Sequence, residues 1–220
     1  MNYTVSYNRL MTYERCPFAY KLQYVDRQEG KQRDTSAADR GSQIHEDMQR
    51  AIEAKSMLYV PKTIAKKRED LAEIIEQGGE AERELLVDAD WMPAESEGKY
   101  YAIVDAIQAY GQSVRLIDWK TGKRFGNELK HANQVMFYAA IAKPFFPEAE
   151  LFECRVVYLD QKPGNDFKKF FKRDELARVQ AQFDKRSERM LMDRIFRPRP
   201  MKSTCRFCSY KEEVCPYAVS

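Results

Sequence analysis

Asp118 and Lys120 stand two residues apart in the stretch "IDWKTGK" (117–123), where an apolar, strand-like run ends. Alternate side chains of a strand share a face, so this acid and this amine stand side by side. A second acid joins them. The run "YYAIVDAIQAY" (100–110) reads as the preceding strand, and Tyr110-Gly111-Gln112-Ser113 suits a two-residue type II′ hairpin turn with glycine first. Pairing Tyr110 with Ser113 places Asp105 directly across from Asp118, on a face that also carries Ile103, Ile107, Ala109, Val114 and Leu116. Opposed carboxylates on an apolar face repel unless a cation or a proton neutralises them. An Asp105–Lys120 ion pair would balance one of them, whereas a divalent metal balances both. Oxygen ligands favour Mg²⁺ or Mn²⁺, and a lysine beside such an ion can orient water and hold charge growing on a phosphate. The chemistry implied is metal-assisted phosphodiester hydrolysis.

The elements that must hold these residues follow from periodicity and turn signals. Ser6 can cap a first helix to about residue 15, and "CPFAYKLQYV" leads into a charged loop over 26–40. Ile44, Met48 and Ile52 recur at fourfold spacing and predict a helix over 41–56; another is expected over 61–77, ended by Gly78-Gly79. Strands are expected over 84–91, 100–110, 113–120 and 153–160, with a hairpin-like piece over 156–172. Helices are expected over 128–143 and 174–193. Helices on a mixed sheet make the fold class α/β or α+β. At 220 residues the chain can bury one substantial core, and it reads as a single domain over 1–220. No apolar run is long enough for a membrane span or a secretory signal, so the expected setting is cytoplasmic, without a membrane partner. The net charge of +3 does not itself argue for nucleic acid. The basic runs "KKR" (66–68), "KTGKR" (120–124) and "KKFFKR" (168–173) can contact phosphates, or be ordinary solvated faces. Five cysteines in a reducing compartment are not a disulfide framework, and Cys205, Cys208 and Cys215 crowd the C-terminus.

Asp105 followed by "DWK" resembles the D…(D/E)-x-K core of the PD-(D/E)XK nuclease superfamily, with Val104 where a proline often precedes the first acid. "GSQIH" (41–45) resembles the G-x-x-x-H element of its RecB-like members, and "QVMFY" (134–138) their Q-x-x-x-Y element. Cys16 in "CPFAY", then "CRFCSYKEEVC" (205–215), resembles the cysteine arrangement of the iron–sulfur members, which include the CRISPR-associated adaptation nuclease and the nuclease domain of the AddB helicase subunit. The resemblance implies a restriction-endonuclease-like core in which Asp105, Asp118, the Trp119 carbonyl and His45 hold one or two Mg²⁺ or Mn²⁺ ions. It implies that Lys120 positions the attacking water, and that Gln134 and Tyr138 hold the DNA strand and buttress the lysine. It also implies a [4Fe–4S] cluster on Cys16, Cys205, Cys208 and Cys215 that joins the two ends of the chain; zinc is the alternative occupant of a four-cysteine site. Cys154 reads as a core residue, and Glu84 as a surface glutamate or an additional acid of the site.

The function expected is a metal-dependent DNA exonuclease that acts from DNA ends without sequence preference, in recombination, repair or viral genome processing. Alternatives are a nuclease that trims fragments for a CRISPR array, and a non-catalytic DNA-binding module with a structural metal. Partners beyond DNA would be a second copy of the chain or recombination and replication proteins.

Overall fold

The computed structural model describes residues 4–31, 36–122, 124–211 and 214–219. Lys123, within one of the basic runs, lies outside them, as do Glu212 and Glu213 in the cysteine segment. In chain order the elements are α1 (Tyr7–Arg15), α2 (Pro17–Tyr20), α3 (Ser36–Ala54), α4 (Lys62–Ala65), α5 (Leu71–Gln77), β1 (Glu80–Val87), β2 (Tyr100–Tyr110), β3 (Ser113–Lys120), α6 (Glu128–Ala142), β4 (Leu151–Tyr158), β5 (Phe167–Lys172), α7 (Glu175–Met192) and α8 (Lys202–Cys205). The chain divides into two compact units, Met1–Thr35 with Gln182–Ser220, and Ser36–Ala181.

The 36–181 unit is built on a five-stranded sheet in the order β1-β2-β3-β4-β5. Only β3 and β4 run parallel; α6 supplies the crossover that a parallel pair requires. On one face, Ile44, Met48 and Ile52 of α3, with Ile64, Leu71, Ile74 and Ile75, pack on Ala106, Ile117, Trp119, Val157 and Leu159. The alternate positions Leu116, Asp118, Cys154, Val156 and Tyr158 are also buried. They face α6, where the Cys154 thiol donates to the Val135 carbonyl. Helices on both faces of a mixed sheet give the α/β restriction-endonuclease-like architecture expected.

The other unit begins with α1, whose N-cap Ser6 accepts from the Arg9 amide and whose Tyr7, Leu10 and Tyr13 are buried. The Tyr13 hydroxyl lies 2.8 Å from the Asp193 carboxylate and 3.0 Å from the Arg189 carbonyl. Arg186 of α7 forks onto Glu14 at 2.7 and 2.8 Å.

Several boundaries differ from expectation for local reasons. α3 starts at Ser36 rather than 41. The helix expected over 61–77 breaks in two around Arg68, whose buried guanidinium is bound by Asp70, Asp166 and the Tyr158 carbonyl. β1 lies four residues earlier than expected, because Asp88 ends it by accepting the amides of Asp90 and Met92 in a tight turn.

Candidate active site

The Gly111 turn forms as predicted, and Tyr110 pairs with Ser113. The β2–β3 ladder, however, stops at Ala106↔Ile117, one step short of the two aspartates. In place of a backbone pair, the Asp105 carboxylate accepts the Trp119 amide at 2.6 Å. The β1–β2 ladder skips the same level: Ala81 pairs with Ala106 and Arg83 with Val104, with Glu82 between them at φ +47°. A positive φ on glutamate is uncommon and marks a local break in the strand. Three strands thus carry an acid at this break, from Glu82 to Asp105 to Asp118.

α3 brings His45 to the same place. Its Nδ1 lies 3.5 Å from Asp105 Oδ1 and 4.0 Å from Glu82 Oε1. One ligand atom from each of His45, Glu82 and Asp105 falls within 4.8 Å of the others, spacing that a single metal ion can bridge. The hydrogen bond to Asp105 raises the His45 pKa against the effect of burial. Burial and the Asp105 charge raise that of Glu82.

Asp118 is 1 % exposed, and burial pushes its carboxyl up to about 6, reinforced by Asp105 and opposed by Lys120. The Lys120 ammonium donates to Asp118 Oδ1 at 2.9 Å and lies 2.7 Å from Oδ2, out of line for a second hydrogen bond. Oδ2 is therefore a buried carboxylate oxygen without a hydrogen bond, beside a cluster of acids. Such an atom fits a metal ligand, as do the oxygens and imidazole around it. Trp119 lends its amide to Asp105, and its indole is buried on the α3 side with Nε1 unbonded.

On α6, Gln134 Nε2 donates to the Tyr138 hydroxyl at 2.7 Å, one turn apart as the spacing predicts. Burial and the charges of Asp118 and Asp105 raise the Tyr138 pKa well above normal, so the phenol stays protonated. His131, three residues before Gln134 on α6, shares a 2.7 Å hydrogen bond with Tyr158, the cross-strand neighbour of Lys120. Burial and the adjacent lysines lower its pKa to about 4, which keeps the imidazole neutral at physiological pH.

The cysteines separate as expected. Cys154 is in the core, its thiol pKa raised by burial. Cys16, Cys205, Cys208 and Cys215 line one apolar cavity within the terminal unit, together with Pro198, Pro200 and Tyr217. The Arg199 amide donates to Cys16 Sγ at 3.5 Å.

Glu82 was not among the residues singled out from the sequence, and Glu84 lies on the surface, the first of the two readings given for it. Glu84 is exposed, and the misplaced start of β1 hid the register that sets Glu82 opposite Asp105. The run "KKR" is not a uniform phosphate-binding face, because Arg68 is fully buried in carboxylates. Arg173 of "KKFFKR" likewise donates to the Phe146 and Ala149 carbonyls.

A sequence-family model described as the PD-(D/E)XK nuclease superfamily matches residues 4–216, and the chain belongs to that superfamily. Membership carries metal-dependent nuclease chemistry on DNA. No curated protein matches the chain. Among solved structures, one titled "Crystal structure of SSO0001" aligns over 100 % of this chain and 89 % of its own, at 16 % identity and a TM-score of 0.42, too loose a likeness to carry an argument.

Proposed function

We propose that this member of the PD-(D/E)XK nuclease superfamily is a RecB-like iron–sulfur exonuclease that hydrolyses DNA from its ends. The observation that carries the catalytic assignment is the gathering of His45, Glu82 and Asp105 within 4.8 Å beside a buried Asp118 oxygen that has no hydrogen bond. Asp105, Asp118, Glu82 and His45, with the Trp119 carbonyl, would hold the divalent ion. An imidazole among carboxylates favours Mn²⁺ alongside Mg²⁺. The ion supplies Lewis acidity toward a phosphoryl oxygen and the attacking water. Lys120, fixed by Asp118, offers a proton donor and a positive charge where negative charge grows on the phosphate. Tyr138, held protonated and oriented by Gln134, is a hydrogen-bond donor for a backbone phosphate of the strand.

A [4Fe–4S] cluster on Cys16, Cys205, Cys208 and Cys215 is supported by their shared cavity and by the distance in sequence of Cys16 from the other three, unlike the two local pairs of a zinc ribbon. Its role in this reading is to hold the terminal unit together.

The test is cleavage of end-labelled linear DNA and a closed circular control by wild-type and Lys120→Ala protein, with Mg²⁺, Mn²⁺ or EDTA. The expected result is metal-dependent loss of the linear substrate alone, abolished by the substitution. Cutting of the circle at the same rate would remove the end-dependence. DNA binding without cleavage by cluster-replete wild type would leave a binding module.

A further inference from the structure

Charge is divided unevenly between the two units. The terminal unit, 1–35 with 182–220, holds 15 basic and 9 acidic residues, a net +6 in a chain whose total is +3. The unit with the acidic site is left at −3, so electrostatic attraction for a polyanion lies mainly outside it. Within the terminal unit the positive charge concentrates in "RIFRPRPMKSTCRFCSYK" (194–211), which carries six basic residues and no acid.

Apolar side chains are interleaved with those cations and are open to solvent. Ile195 is 71 % exposed, Met201 53 % and Phe207 62 %. Arg194, Arg197, Arg199, Lys202 and Arg206 are exposed between them, and the Arg206 guanidinium lies 5.4 Å from the centre of the Phe207 ring. Arg194 and Arg199 also donate to the Leu191 and Glu14 carbonyls, which fixes where their charge is presented. A folded unit does not gain from an exposed phenyl ring flanked by cations, but a single strand of nucleic acid does: phosphates meet the cations and bases stack on the ring. Duplex DNA hides its base faces and offers phosphates alone.

We infer that residues 194–211 form a sequence-independent surface for single-stranded DNA, with Phe207 and Arg206 as a stacking platform and Arg197 and Lys202 as phosphate contacts. This rests on the nuclease reading for the identity of the polyanion, and deepens it by naming a single strand as what the terminal unit grips.

The experiment is fluorescence anisotropy of a labelled single-stranded 20-mer against the full chain in EDTA, over a range of salt. Variants are Arg197→Gln with Lys202→Gln, and Phe207→Leu, each checked for wild-type iron content. Removing two phosphate contacts should lower the slope of log affinity against log salt by about 1.4. Losing one stacked ring should weaken binding about 5-fold or more, and a blunt duplex of the same length should compete poorly. Photo-crosslinking of wild-type protein to a 5-iodouracil strand should label peptides within 194–211, a readout independent of how the variants fold. Unchanged salt slope and affinity, or crosslinks that all fall elsewhere, would overturn the inference, as would equal competition by the duplex. Binding that behaves as expected in a chain that cuts nothing would leave this surface standing and remove the nuclease reading instead.

Discussion

Replacing Asp118 by asparagine should make the metal-free protein more stable while destroying its activity. Asp118 is 1 % exposed and its carboxyl is pushed up to about 6, mainly by burial. Its ordinary value is 3.8, so the folded state holds the proton more tightly than the unfolded state by roughly two pH units. At about 1.4 kcal/mol per unit, the ionised carboxylate costs the fold about 3 kcal/mol at pH 7 and above. The stability associated with the proton is fully present below pH 4 and is lost as pH rises through about 6. Asparagine keeps the shape and removes the charge. It also removes the partner of Lys120, whose attraction is already contained in the net shift to about 6. The net gain is about 3 kcal/mol at pH 8, falling toward zero by pH 4. Urea unfolding in EDTA at both pH values measures it. Manganese at pH 8 should stabilise the wild type more than the variant, because the metal neutralises the same charge. A variant less stable than wild type at pH 8, or a difference that does not change with pH, would refute the electrostatic account of the site.

Other outcomes follow from the same geometry. Lys120→Ala should lower the cleavage rate by about 10² or more and leave DNA binding intact, since it removes a charge that acts on the transition state; unchanged turnover in a single-turnover assay would dismiss the assignment. Glu82→Gln should raise the Mn²⁺ concentration for half-maximal cleavage about tenfold, read from a metal titration, whereas Glu84→Gln should leave it where it was. Protein purified without oxygen should be brown, with iron and sulfide that disappear in Cys205→Ala; stoichiometric zinc without iron would eliminate the cluster. Tyr158→Phe removes the buried hydrogen bond to His131 and should cost about 1 kcal/mol in unfolding free energy, and a neutral result would show that the pair is not structural.

What could be read from the sequence depended on whether the signal was local. The β2–β3 hairpin was legible because Gly111 fixes the turn and the turn fixes the register, which is why Asp105 and Asp118 could be brought together without coordinates. The same reasoning could not see that the ladder opens at that level. The same level is skipped at Glu82 in a third strand, which ends in a turn at Asp88 to Met92 with no glycine to announce it. Gln134 and Tyr138 met because helical spacing alone decides it, whereas His131 turned to Tyr158, a contact across 27 positions of chain. Arg68 was misread for the same reason: its partner Asp166 is 98 residues away. The cysteines were legible as a set because their chemistry, not their neighbours, singled them out.

The terminal unit is discontinuous in sequence, and that imposes an order on how the molecule is made. Residues 1–35 are translated before residues 36–181 and lack the 182–220 half of their own core until that later stretch has been added. At about 5–20 residues per second, Cys16 waits on the order of ten seconds or more for Cys205 to exist. The 36–181 unit, contiguous in the chain, can close its sheet during that interval. Assembly of the terminal unit therefore follows that of the 36–181 unit, and stalled chains probed by protease should be protected over 36–181 before residues 1–31. The acidic site, whose residues all lie within 36–181, can thus be built before the second half of the basic unit exists.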